Sequence, residues 1–321
     1  MPCYHDATCL KRLIPEILSI DATYRVLVVN DTALPDPVLE ALQQEHPFEI
    51  CTVPYNLGHQ GAIVYGMVCA LLNPQFDDID FFVTMDSDGQ DDPSAIPMMI
   101  SRAGEKSVCV AQRKGERPEG FKFSLGYAIH KFLFKFAVGF TPDYGNYAVM
   151  SRSLARQVAI SPEFDAVYSF ALHYLAPLTK YPLKRRPRFD GKSKVQFHGL
   201  IDHSLAAILA NLKTIAQRLA FLSLAISMLL VLVSILIAIA KFVLPPAYVA
   251  PNWATTICFS SAILGLQFFS LCVILFVLAA GIRQSSYSQR LMTRILFAET
   301  QLQKRDKSTS SDVASIIAKL Y

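Results

Sequence analysis

The chain has 321 residues, 52% of them hydrophobic and 17% charged, and a formal charge of +4 at pH 7. A chain of that length holds one large domain or two, and a mean hydropathy of +0.33 excludes a wholly soluble protein, because the apolar excess is concentrated late in the sequence. The charge is too small to argue for a nucleic-acid partner, and seven cysteines without a C-x-x-C pair read as reduced, packing thiols.

Taken in order, Tyr24 to Asn30 is a strand by its Val and Leu content, with Asp31 at its carboxyl end. Pro35-Asp36-Pro37 breaks the chain before a short helix from Val38 to Glu45. Phe48 to Val53 is a second strand, followed by Asn56-Leu57-Gly58-His59-Gln60-Gly61, and Ala62 to Leu72 spaces small and apolar residues as a helix does. The apolar run Ile79 to Met85 is too short for anything but a buried strand. A helix from Pro93 to Arg102 and a strand from Ser107 to Gln112 complete the alternation. Strands alternating with helices imply an α/β domain with a mostly parallel sheet covered on both faces. Ligands of such sheets bind beyond the carboxyl ends of the strands, and Asp31, Asn56, Asp86, Asp88 and Arg113 lie at or just after those ends.

The strand ending at Met85 runs into Asp86-Ser87-Asp88-Gly89-Gln90. Two carboxylates one residue apart supply hard anionic oxygens that suit Mg²⁺ or Mn²⁺, and Gln90 adds a neutral oxygen. Asp and Gly are also ordinary turn residues, so the motif alone leaves both readings open.

Later in the chain, Lys122 to Val138 is aromatic and basic, and reads as a helical cover over the acceptor side or on a membrane. Lys184, Arg185, Arg186, Arg188, Lys192 and Lys194 form a basic cluster suited to lipid headgroups or a phosphorylated substrate. Ala206 to Thr214 is amphipathic enough to lie along a bilayer. From Leu219 to Val243 the one charged residue is Lys241, and Thr255 to Ile282 has none. Each run spans a hydrocarbon core of roughly 30 Å as a helix. The connecting Leu244 to Trp253 is uncharged, whereas Lys213, Arg218, Arg283, Arg290 and Arg294 flank the outer ends of the hairpin. The positive-inside rule then puts the N-terminal region and the tail in the cytoplasm. The expected boundaries are a catalytic region 1–195, an interfacial region 196–217, a hairpin 218–283 and a tail 284–321.

Several of these segments, in order, resemble the motifs of family 2 glycosyltransferases. They are Asn30-Asp31, Asn56-Leu57-Gly58-His59-Gln60 with Ala62 and Gly66, and Asp86-Ser87-Asp88-Gly89-Gln90-Asp91-Asp92-Pro93. Gly145-Asn146-Tyr147 with Ser151-Arg152, and Gly191-Lys192-Ser193-Lys194, complete the set. The likeness covers roughly residues 1 to 200 and is strongest to membrane-anchored synthases of dolichol- or polyprenyl-phosphate sugars, whose usual anchor the two spans match. It implies a GT-A fold, an inverting transfer, a UDP- or GDP-sugar donor, Mg²⁺ or Mn²⁺, and a polyprenyl-phosphate or other lipid acceptor. A bacterial inner-membrane location and a homo-oligomer through the spans are further expectations. By the same resemblance, Pro2, Tyr4, Asp6, Asp31, Asn56, Gly58 and Asp86 meet the nucleotide. Asp86, Asp88 and Gln90 hold the metal, and Asp88, Arg113, Arg117, Arg188, Lys192, Ser193 and Lys194 carry the phosphate chemistry.

The chain departs from the family pattern in places. His5 and Asp6 stand for an Asn-Glu pair, Asn30 for an Asp, and Asn146 for a frequent Asp, while the family's first strand would lie before Pro2. An ionised phosphate acceptor needs no general base, so Asn146 is tolerable there; a hydroxyl acceptor would need a carboxylate from Asp91, Asp92 or Asp143. Two other readings remain: transfer to a lipid or protein hydroxyl, and an inactive membrane scaffold. A processive polysaccharide synthase is disfavoured, because the single tryptophan, Trp253, lies in the loop between the spans and no Q-x-x-R-W motif is present.

Overall fold

The computed structural model describes residues 1–114, 135, 139–140, 143–161, 164, 167–190, 211–243, 252, 255–274 and 277. The chain falls into two compact units, and among the described residues one carries seven strands and the other two long apolar helices.

The first unit opens with β1 (Pro2–Cys3), α1 (Ala7–Ile20), β2 (Leu27–Asn30), α2 (Pro37–Glu45), β3 (Glu49–Thr52) and α3 (Gly58–Leu72). These strands make a parallel sheet in the order β1-β2-β3, with Val29 opposite Pro2 and Cys51. The β1 strand, where the family's first strand was expected to precede Pro2, pairs over two residues only. A loop enters α2 through Asp36, whose Oδ1 accepts from the Val38 and Leu39 amides. Asp36→Ala is expected to lower stability by about 1 kcal/mol, the usual worth of such a cap, read as a denaturation midpoint shift at constant slope. In α3 apolar residues cover the whole surface and are buried from Ala62 to Leu72, so this helix is the spine of the core rather than an amphipathic cover.

A second sheet follows, built from β4 (Phe81–Thr84), β5 (Val108–Lys114), β6 (Tyr144–Ser151) and β7 (Leu178–Lys184) in the order β4-β6-β5-β7. The helix α4 (Ile96–Arg102) follows a 3₁₀ turn at Pro93–Ala95, and α5 (Arg152–Ile160) and α6 (Tyr168–Leu175) lie between β6 and β7. The pairing of β5 with β7 is parallel, but β6 runs antiparallel between β4 and β5. The alternation read from the sequence therefore holds for the first half, whereas the second half is mixed. Two apolar clusters fill the faces. One lies around α3, α5 and α6 with Val29, Phe82 and Met150, and the other around α1, α2 and α4 with Val28, Met85 and Tyr147.

Between the β1-β2 pair and β4 lies a cavity of about 300 Å³, lined by Met1, Pro2, Leu27, Val29, Phe81 and Val83 among others. Cys51 of β3 and Cys69 of α3 bring their sulfurs into contact, because the strand and the helix packed beside it place together two residues that are 18 apart in sequence, and the other five cysteines stand apart.

In the second unit, α7 (Leu212–Val243) contains an apolar stretch Thr214–Ile237, and α8 spans Thr255–Ile274. Both are long and apolar enough to cross a membrane. Phe221, Leu229, Ile235, Phe259, Leu266 and Val277 are exposed, the pattern of a helix whose apolar surface is not taken up by a protein core. The expected helix at 122–138 and most of the amphipathic segment 206–214 lie outside the described residues.

Candidate active site

Strand ends of both sheets bring the functional side chains together around His59 and Asp86. Asp31 follows β2 and is buried, with Oδ1 accepting the Leu57 amide at 2.7 Å. Burial raises its carboxyl above the ordinary value, and that amide partly offsets the rise. Asn56 caps the next turn by accepting from the Gly58 amide at 2.9 Å, so Asn56 and Gly58 shape the entrance to α3. His59 in the first turn of α3 reaches across to Asp86, Nε2 to Oδ1 at 3.1 Å, and lies 2.8 Å from the side-chain amide of Asn146. Burial alone would lower the His59 imidazole, but contact with Asp86 and the charges of Asp88 and Asp91 outweigh it and raise its affinity for a proton.

The loop after β4 carries the paired carboxylates. Asp88 is buried, accepts the Gln90 amide on Oδ1 at 2.9 Å, and pairs through Oδ2 with Arg188 at 2.9 Å. Between them Gly89 takes a φ of +79°, a conformation that glycine adopts without strain, and Phe189 packs where a β-carbon would stand. Burial opposes ionisation of Asp86, but His59, Arg185 and Arg113 together hold its carboxyl below the usual range. Beyond the ion-pair contact with His59, its buried Oδ1 has no well-formed hydrogen bond among the described residues. Asp91 behaves in the opposite way: burial and the adjacent charge of Asp86 push it up to about 7, while its Oδ2 accepts the Asp86 amide.

Because β6 runs antiparallel, its first residues reach the same edge as the last residues of β4 and β5. This places Gly145 beside Arg113, the penultimate residue of β5, and Asn146 beside His59. A β-carbon at Gly145 would collide with an Nη of Arg113. Gly145→Ala is expected to push that flexible guanidinium aside, lowering activity about tenfold, one lost charge-assisted contact, with an unchanged melting temperature. A variant with full activity would count against a role for Arg113 in the site.

Of the other sequence candidates, Pro2 lies in β1, Tyr4 and His5 stack edge to face at 4.4 Å, and Asp6 precedes α1. Arg117, Lys192, Ser193 and Lys194 lie outside the described residues. Asp92 caps the Pro93 turn by accepting the Ser94 amide, and Asp143 is held by Lys180 and Gln112, which leaves both engaged in structure. Sequence reasoning missed Arg185, whose Nη2 lies 3.2 Å from Asp86 Oδ2, and gave His59 no role in the site. The need of two neighbouring carboxylates for counter-charge was the available signal.

No group of three or more His, Cys, Asp or Glu side chains is placed to hold a metal among the described residues. Two carboxylates suffice for Mg²⁺ when substrate phosphates complete its shell, and the under-satisfied Oδ1 of Asp86 fits that use. No curated protein matches the chain. The family model described as Glycosyl transferase family 2 matches residues 1–172, more than half of the sequence and the whole of the edge from Asp31 to Asn146. The chain belongs to glycosyltransferase family 2.

Proposed function

We propose that this protein transfers a sugar, with inversion, from a UDP- or GDP-sugar to a polyprenyl phosphate at a membrane surface. One observation carries the reading: Asp31 after β2, Asp86 and Asp88 after β4, and Arg113 in β5 gather around His59 and Asp86, in a chain that also holds two apolar helices of spanning length. Asp31 would meet the base or ribose beside the Asn56-Gly58 turn. Asp86 and Asp88, with Gln90, would hold Mg²⁺ or Mn²⁺, which when bound neutralises the charge growing on the leaving diphosphate. Arg113, and Arg117 from its own part of the chain, would pair with phosphate oxygens through their planar forks.

The acceptor phosphate arrives already ionised at neutral pH, so no side chain has to remove a proton from it. That fits the amide at Asn146, which contacts His59 and offers no base. Arg188, Lys192, Ser193 and Lys194 would serve the acceptor or the diphosphate. The assigned regions remain 1–195 for catalysis, 196–217 for the interface, 218–283 for the hairpin and 284–321 for the tail, with catalytic region and tail on the cytoplasmic side.

Membranes containing the protein should convert a radiolabelled UDP- or GDP-sugar into a lipid-extractable, acid-labile product when polyprenyl phosphate is added, and EDTA should stop the reaction. A product formed equally well without polyprenyl phosphate would indicate a hydroxyl acceptor, and nucleotide-sugar binding without turnover would indicate a scaffold. The protein is also expected to stay with the membrane through alkaline carbonate extraction; release into the supernatant would refute the two spans.

A further inference from the structure

The segment after β7 lies along the carboxylate loop as a strap. Its backbone joins the loop twice: the Arg186 amide donates to the Gln90 carbonyl at 3.0 Å, and the Phe189 amide to the Asp88 carbonyl at 3.1 Å. Two side chains anchor it. Arg186 forms a two-point ion pair with Glu16 of α1 and donates from Nε to the Gly89 carbonyl. The Phe189 ring covers Gly89 and carries the Arg12 guanidinium 4.2 Å from its centre.

On this anchored strap the two remaining arginines face the two carboxylates. Arg185 Nη2 is 3.2 Å from Asp86 Oδ2, and Arg188 Nη2 is 2.9 Å from Asp88 Oδ2. Two guanidinium charges therefore offset two carboxylate charges, the same total as one divalent ion. Asp88 is nearly fully buried, and a buried carboxylate left without an opposite charge is costly. A divalent ion taking these oxygens as direct ligands brings two like charges beside each guanidinium, which then repel it. A guanidinium released there is well placed for phosphate, whose oxygens match its fork.

We infer that Arg185 and Arg188 are the resident counter-ions of Asp86 and Asp88, and that a divalent cation binds by displacing them toward the donor diphosphate. The inference rests on the proposed cation role of those carboxylates. The strap makes cation and nucleotide bind together, because a cation alone has to break two ion pairs that the diphosphate then replaces.

The test measures Mn²⁺ binding to the detergent-solubilised full chain by electron paramagnetic resonance of the free ion, with and without UDP or GDP. Without nucleotide, Arg185→Gln and Arg188→Gln should each tighten Mn²⁺ binding about tenfold, as expected for removing one competing partner worth roughly 1.4 kcal/mol. With nucleotide, the wild type should gain more Mn²⁺ affinity than either variant, and Arg185→Lys should restore most of that gain. Mn²⁺ binding that is unchanged or weaker in both glutamine variants overturns the exchange while leaving the cation site standing. Absence of Mn²⁺ binding by wild type and variants alike, with nucleotide present, overturns the cation site and the exchange together.

Discussion

Asp88→Asn is expected to lower sugar transfer by about two to three orders of magnitude, the usual cost of removing a group that stabilises charge in the transition state. The substitution is nearly isosteric. Its amide oxygen still accepts the Gln90 backbone N–H that Asp88 Oδ1 accepts at 2.9 Å, so the loop keeps its shape. What disappears is the negative charge facing Arg188, and with it half of the anionic pair proposed to hold the cation. The loss should appear in kcat, with a melting temperature close to that of the wild type. Transfer within tenfold of the wild type would remove Asp88 from the mechanism, and an equal loss of folding would make the effect structural.

Met150→Ala should produce the largest change in stability. Met150 is fully buried in β6, opposite Phe82 of β4, in the cluster built around α3. Truncating a buried methionine costs about 2–5 kcal/mol, made up of lost transfer energy and the void left behind. In a domain of this size that corresponds to a melting-temperature drop of roughly 5–15 °C. The strand also sets Gly145 against Arg113 and Asn146 against His59, so residual activity should become more temperature-sensitive than the nucleotide binding proposed for the Asp31 side. Calorimetry of the variant beside the wild type checks the magnitude; a shift below about 2 °C would mean that the site collapses around the smaller side chain.

The strands β2, β3 and β4 and the helices α2 and α3 were legible because their signals are local, whereas β1 and α1 were not read. The Val-rich run ending at Asp31, the Pro-Asp-Pro break, and the apolar run ending at Met85 each announce an element through neighbouring residues alone. The carboxylate loop could be read for the same reason: Asp86, Asp88 and Gln90 carry their chemistry in adjacent letters. The mixed second half was not legible. Nothing in Tyr144–Ser151 tells a strand which neighbours to choose, and its antiparallel place between β4 and β5 is decided by packing against Phe82, Val110 and Leu154. The basic run at 184–194 was visible as charge, but its division of labour was not. Arg186 serves Glu16 and the loop carbonyls, whereas Arg185 and Arg188 take the carboxylates, a distinction set by the side each residue presents as the chain leaves β7.

The Arg185 contact with Asp86 joins residues 99 apart, and the Arg186 contact with Glu16 joins residues 170 apart. During synthesis the acidic loop therefore leaves the ribosome long before the arginines that neutralise it. Until the residues after β7 emerge, Asp86 keeps only His59 and Arg113 as counter-charges and Asp88 lacks the charge of Arg188. Pairings of such high contact order also close slowly. A nascent chain that ends just after β6 holds the α3 spine without these arginines, so the pairing of the carboxylate loop waits for the segment that follows β7.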